Sequence, residues 1–254
     1  MDTTLARYVL TERFQVPTFA RDWRDRIPLA VLCQCCQEAA AHHAALLGVG
    51  MRQVRAANLT WVLLSLRLRL SVAAPRQGPI RLETWPSGHD RRCADRDFLL
   101  HADDADTPFA VAASRWMVLD ATTGRPVALP AEVQALPPPR PRVLADELIR
   151  FPAMPVPELE VEFPVRLSDL DINRHVNNVH YVEWIVESVP PAVWNEQTAT
   201  ELDITFRAPA VHGDVVVVRT ARVPDSAEPA FLHRLVEAKS GRELVRARTL
   251  WRQL

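Results

Sequence analysis

The sequence predicts an α+β protein built from two copies of one unit, each an antiparallel sheet wrapped around a helix. Three observations predict it. The first half reads as a strand, a long helix and four further strands. The second half repeats that order. Landmarks of the halves also keep one spacing: turn glycines Gly78 and Gly213, and Trp116 and Trp251 in the terminal strands, each lie 135 positions apart. A repeat at that distance means two copies of a domain, not a solenoid.

In the first copy, residues 10–19 read as a strand, with Phe14, Val16 and Phe19 among polar neighbours. Asp22 to Pro28 is a loop entering a helix over about 28–47, with proline tolerated in its first turn. Leu29, Leu32, Cys33, Cys36, Ala39 and His43 are among the stripe it buries, and Gly48 and Gly50 stop it. Asn58 to Val72 alternates Leu64, Leu66, Leu68 and Leu70 with Ser65, Arg67, Arg69 and Ser71, the pattern of a half-buried antiparallel strand. Gln77-Gly78-Pro79 is a turn, and 80–85, 92–101 and 109–119 are further strands. In the second copy the strands are 161–168, 201–207, 215–223, 231–238 and 244–251, with a helix after the first. A sheet wrapped around a helix in this order is the hotdog arrangement, so the whole is a tandem double hotdog. The expected domains are 1–130, a proline-rich linker at 131–160, and 161–254.

The chain has 254 residues, 48% of them apolar, which is enough for a core. A formal net charge of −1 leaves no electrostatic footprint for nucleic acid. Lys239 is the only lysine; the other basic residues are arginines, suited to bidentate recognition of phosphate or carboxylate. Cys33, Cys35, Cys36 and Cys93 fit neither a secreted disulfide framework nor a zinc site, since no second Cys or His pair stands at ligand spacing. No apolar run approaches the ~18 residues of a membrane span, and the first residues lack the apolar core of a signal peptide. The expected location is cytoplasmic.

Chemistry concentrates at 163–189. Asp169, Asp171, Asn173 and His175 stand at every second position, so an extended segment would put them on one face. Helical spacing then takes over in Val176, Val179, Val182, Ile185 and Val189. Asn177 or Asn178 is the expected N-cap. The polar group thus precedes a helix N-terminus, where backbone N–H groups favour developing negative charge.

The run Asp-Leu-Asp-Ile-Asn-Arg-His-Val-Asn-Asn-Val-His-Tyr at 169–181 resembles the signature of the plant and bacterial acyl-acyl-carrier-protein (acyl-ACP) thioesterases. Leu82-Glu83-Thr84-Trp85-Pro86-Ser87-Gly88 and Ala113-Ser114-Arg115-Trp116 are similar to further blocks of that family. The resemblance implies hydrolysis of a fatty acyl thioester that ends chain elongation in fatty acid biosynthesis. It implies an acyl carrier protein with its acyl-phosphopantetheine arm as partner, and no metal or organic cofactor. It carries catalytic roles onto Asp171, Asn173 and His175, and assigns acyl-chain binding to the first copy. Asp171 and His175 are both candidates for the base, and Asn173 for orienting water or the carbonyl. Backbone N–H groups of Val176, Asn177 and Asn178 are the expected oxyanion donors. One departure stands out: plant members carry an acid and a cysteine where this chain has Pro209 and Ala210. Alternatives are a coenzyme A thioesterase and a hotdog protein that binds acyl groups without cleaving them. A monomer or a homodimer is compatible with the tandem repeat.

Overall fold

The computed structural model describes residues 6–71, 73–76, 78–144 and 149–253. Val72 and Gln77, placed above in a strand end and a turn, lie outside the described residues, as do the first five residues and 145–148 of the expected linker. Contacts divide the chain into two compact units, Met1–Leu66 with Leu70–Glu147, and Arg67–Arg69 with Leu148–Leu254.

In the first unit β1 (Leu10–Phe14) precedes α1 (Leu29–Leu46) and the short α2 (Met51–Ala56). Strands β2 (Leu59–Leu70), β3 (Ile80–His89), β4 (Cys93–Ala102) and β5 (Ala110–Asp120) follow. The strand order is β1-β3-β4-β5-β2, and β1–β3, β3–β4 and β4–β5 pair antiparallel. Helix α1 packs on β1 and β3 through Leu32, Cys33, Cys36 and Ala39, all buried. Burial pushes the Cys33 thiol up to about 12 and Cys35 up to about 11, so these side chains act as small packing groups, not nucleophiles. Gly48, at φ +77°, ends the helix in the left-handed region. Helix α2 is an addition to the expected elements, and Gly50 precedes it for a steric reason: a Cβ there would sit 2.8 Å from the Ala45 Cα.

The proline-rich segment is not slack. Its α3 (Ala131–Gln134) buries Val133, with Leu129, against Val49 and Val118 of the first unit. Beyond it Arg140 pairs with Glu83 at 2.5 Å, and the Val143 N–H donates to Asp97 at 2.7 Å.

In the second unit β6 (Leu159–Pro164) is followed by α4 (Asn178–Glu187), α5 (Pro191–Glu196), β7 (Thr198–Phe206), β8 (Val215–Arg222), β9 (Ala230–Glu237) and β10 (Glu243–Arg252). The order β6-β8-β9-β10-β7 reproduces that of the first unit strand for strand, again with antiparallel pairing. A long helix was expected in each copy; here α4 has only ten residues. Pro190 and Pro191 follow, and proline in a helix interior removes a hydrogen bond and clashes with the preceding turn, so the chain restarts as α5 with Pro191 in its first turn. Helix α4 is held by aromatics: Trp184 stacks on Phe163 at 5.6 Å, and Tyr181 meets Trp184 and Phe206 edge-on at 5.4 and 6.0 Å. No helix among the described residues is long and apolar enough to cross a membrane.

Candidate active site

The polar cluster lies on a tight turn, which corrects the extended reading. After β6 the chain makes a single 3-10 turn, Leu167–Asp169. Asp169 is buried and accepts from the Arg166 N–H at 2.8 Å and from Arg166 Nη2 at 2.7 Å. Burial pushes its carboxyl up, but the Arg166 hydrogen bonds and charge outweigh that and hold it below the ordinary carboxylate value. Leu170 and Val176 then bridge the base of a loop. Within the loop Asp171 donates its N–H to the His175 carbonyl at 2.7 Å. Its Oδ1 accepts from the N–H groups of Asn173 and His175 at 2.7 and 3.3 Å, and its Oδ2 from Asn173 Nδ2 at 3.2 Å. This Asx-type bonding holds Arg174 at φ +60°, unusual for a residue other than glycine.

Asp171 and Asn173 are thus in direct contact, and His175 joins them through its backbone. The His175 imidazole is exposed and makes no hydrogen bond among the described residues. Two of the three expected oxyanion donors are already engaged: the Val176 N–H donates to the Ala210 carbonyl at 3.0 Å, and that of Asn177 to the Asp169 carbonyl at 2.9 Å. The reason is the bend itself, which turns these two groups back onto the neighbouring loops. The Asn178 N–H, at the first position of α4, makes no such bond among the described residues. Asn177 is the N-cap, its side chain accepting from the Val179 N–H at 3.1 Å.

The first unit contains the same turn. Asp22 donates its N–H to the Arg26 carbonyl at 3.0 Å, and its Oδ1 accepts from the N–H groups of Arg24 and Arg26, both at 2.9 Å. Asp25 stands at φ +58°, as Arg174 does at +60°. Asp22, Arg24 and Arg26 therefore correspond to Asp171, Asn173 and His175, each pair 149 positions apart. The sequence places the corresponding junction at Asp22 to Leu29, but the sheet repeat is 135 and the turn repeat 149, so the sheet spacing does not give the residue-by-residue match. Arg26 closes back on Asp22 through Nε to Oδ2 at 2.7 Å. The fold keeps the Asp-capped turn in both units; only the second places an amide and an imidazole on it.

The first unit also holds a half-open cavity of about 130 Å³, walled by Ala40 and Ala44 of α1 with Trp61, Trp116, Val133 and Leu136. The indole N–H groups are tied back, Trp61 to the Val49 carbonyl at 2.9 Å and Trp116 to Ser114 Oγ at 2.8 Å, so the rings are fixed in place. Trp85 is buried away from this wall under the Arg140 guanidinium.

Two family models match the chain: the acyl-ACP thioesterase N-terminal domain over residues 7–136, and the C-terminal domain over 156–253. The chain belongs to the acyl-ACP thioesterase family. It is thereby placed among thioester hydrolases. It is 24% identical over 279 residues to the chloroplastic oleoyl-acyl carrier protein thioesterase 2 of Arabidopsis thaliana, covering 95% of this chain and 76% of that one. It is 26% identical over 231 residues to the chloroplastic palmitoyl-acyl carrier protein thioesterase of Cuphea hookeriana, covering 85% of this chain and just over half, 55%, of that one. Among solved structures, an acyl-ACP thioesterase of Bacteroides thetaiotaomicron superposes with a TM-score of 0.87 at 22% identity, over 98% of this chain and 99% of that one. The 12:0-ACP thioesterase of Umbellularia californica superposes at 0.85 with 21% identity, over 96% and 97%. These likenesses give the α+β hotdog fold.

Within this acyl-ACP thioesterase, Ala210 does structural work at the motif. The Ala210 N–H donates to the buried Tyr181 hydroxyl at 2.9 Å, while its carbonyl takes the Val176 N–H. Sequence reasoning missed Tyr181 in this role; a tyrosine on the helix stripe reads as core until its hydroxyl partner is seen.

Proposed function

We propose that the chain hydrolyses an acyl-ACP thioester to the free fatty acid, with the turn before α4 as its active site and a tandem of two hotdog units as its frame. One observation carries the assignment. Two turns of identical backbone bonding differ in the side chains that do chemistry, and only the second leaves an imidazole exposed and without a partner among the described residues. The repeated strand order supports the tandem frame, and the apolar cavity supports acyl binding by the first unit.

The bonding also divides the labour. Asp171 uses Oδ1 on two backbone N–H groups and Oδ2 on the Asn173 amide, so its role is to hold the turn and aim Asn173. His175 is the base, since its imidazole is the exposed side chain on the turn that can accept a proton. It takes a proton from water as the water oxygen bonds to the thioester carbonyl carbon. Negative charge on the carbonyl oxygen falls to the Asn178 N–H and the Asn173 amide. Collapse breaks the C–S bond, and the imidazolium returns its proton to the leaving thiolate. The exposed Arg174 side chain, without a partner among the described residues, offers the acidic carrier a positive contact.

The test is thiol release from a panel of acyl-ACP thioesters beside the matching coenzyme A thioesters, with wild type, His175→Ala and Asp171→Asn. Turnover on the carrier protein that collapses in both variants, with the circular dichroism unchanged, is the expected result. Faster turnover of the coenzyme A series would transfer the assignment to that carrier. A second reading, acyl binding without cleavage, rests on Pro209 and Ala210 standing where plant members have an acid and a cysteine. Acyl binding with no turnover on either carrier would establish it.

A further inference from the structure

The cavity of the first unit is bordered by a buried charge without a counterion among the described residues. Arg96 on β4 lines it and is 8% exposed. Its Nη1 donates to His43 Nδ1 on α1 at 2.9 Å and to Thr84 Oγ1 on β3 at 3.2 Å. A guanidinium only donates, so His43 Nδ1 is the acceptor and the imidazole is neutral. Burial, and then the Arg96 charge, push His43 down to about 4. The remaining three N–H groups of Arg96, on Nε and Nη2, make no hydrogen bond among the described residues. Burial alone pulls Arg96 down to about 10, with no carboxylate opposing it, so it stays a cation at neutral pH. The nearby carboxylate is taken: Asp95 also lines the cavity, but Arg115 holds it at 2.9 Å and Arg142 at 3.3 Å.

These donors reach the open space of the cavity that Arg96 lines, where an anion can pair with them more strongly than water does. The lining beside Arg96 is mostly apolar, with Gln37, His89 and Asp95 as its other polar members. A ligand that satisfies both is an alkyl chain carrying a carboxylate, because the Nε/Nη2 edge of arginine matches the two carboxylate oxygens.

We propose that this cavity binds a short alkyl chain ending in a carboxylate, held bidentately by Arg96 with the chain against Ala40, Ala44, Trp61 and Trp116. The inference rests on reading the cavity as the acyl pocket and names what that pocket selects. The volume of about 130 Å³ is near the ~150 Å³ that accommodates a benzene ring, so it takes a chain of roughly six carbons at most, with the carboxylate on Arg96. The carboxylate has two sources: the far end of an acyl group that is itself a dicarboxylate half-thioester, or a released fatty acid occupying the pocket as product.

Calorimetric titration of the full chain with hexanoate and with hexan-1-ol separates charge recognition from apolar filling. Hexanoate should bind wild type at least tenfold tighter than the alcohol. Arg96→Met keeps the side-chain volume and should abolish that preference, and Arg96→Lys, which keeps charge and loses the fork, should weaken it. Equal binding of acid and alcohol to wild type overturns the proposal even if a variant fails to fold, as does a preference that survives in Arg96→Met. Turnover then assigns the source. A kcat/KM for a carboxyl-terminated acyl thioester at least tenfold above its plain counterpart, lost in Arg96→Met, makes the group part of the substrate. Competitive inhibition by the free acid without that turnover preference makes it product. Carboxylate preference with no thioester turnover would defeat the hydrolase reading and leave this one standing; normal turnover without the preference would defeat this one alone.

Discussion

His175 is the residue on which the chemistry turns, and its surroundings make its variant clean to read. Its imidazole is exposed and makes no hydrogen bond among the described residues, so His175→Ala should shift stability by no more than about 0.5 kcal/mol. Loss of a positioned base should lower kcat by roughly 10²–10⁴-fold; a tenfold loss or less on acyl-ACP would remove His175 from the mechanism. Asp22 is the control. Asp22→Ala strips the same turn of its acceptor in the unit without an imidazole. It should destabilise by about 1–3 kcal/mol, since backbone donors lose their partner, while kcat of the folded protein holds. A matched loss of kcat would mean that the turn in the first unit also takes part. The residue types at 171, 173 and 175 were legible in the sequence, but their geometry was not. Alternation suggested an extended strand, whereas an aspartate that bonds to backbone two and four residues ahead makes a turn. That signal was present in Asp22-Trp23-Arg24-Asp25-Arg26, masked by the difference between the two repeat spacings.

At the scale of elements, α4 and the loop after β7 are locked together at one point. The Tyr181 hydroxyl accepts from the Ala210 N–H, and the Ala210 carbonyl accepts from Val176 beside His175. Tyr181→Phe keeps the ring packing and orphans the Ala210 N–H in a buried position. The expected cost is about 1–3 kcal/mol, with a fall in kcat because the strap under the motif loosens. Unchanged Tm and unchanged kcat together would show that the hydroxyl is idle. Most strands and α1 were legible because their periods are long and unbroken. The short helices α2, α3 and α5 were not, since four to six residues carry too little periodicity. The prolines before α3 and α5 were the available signal: Pro130 precedes the first and Pro190-Pro191 opens the second. In the linker the proline content was legible, but its attachment through Arg140 and Val143 depends on distant residues, Glu83 and Asp97, that no local pattern points to.

Across the whole molecule, the two units share a strand order and also a liability to acid. Each buries a neutral imidazole. In the second unit His233 lies between Thr220 at 3.0 Å and Thr249 at 2.9 Å, and burial pushes it down to about 3; in the first, His43 stands at about 4. Both titrate near 6.5 in the unfolded chain. Between that value and the folded pKa the unfolded state binds the proton and the native state does not, so stability rises with pH and is lost on acidification from about pH 6.5 downward. His42 and His180 act in the opposite sense. Their glutamate partners raise them, so their contribution is full below about 6.5 and fades as pH rises; being partly exposed, they are screened and count for less. Glu237 does not interfere. The Ser240 hydroxyl and the N–H groups of Lys239 and Ser240 hold it at about 2, and its contribution is lost only below about pH 4.5. The window from pH 7.5 to 5 therefore belongs to the histidines. The Tm of wild type should fall steadily across it. His233→Gln retains a polar side chain between the two threonines and cannot titrate, so its curve should be flatter, and the double variant with His43→Gln flatter again. A wild-type Tm that stays level from pH 7.5 to 5, or a slope that His233→Gln leaves unchanged, would mean that these imidazoles take up protons without unfolding the sheets around them.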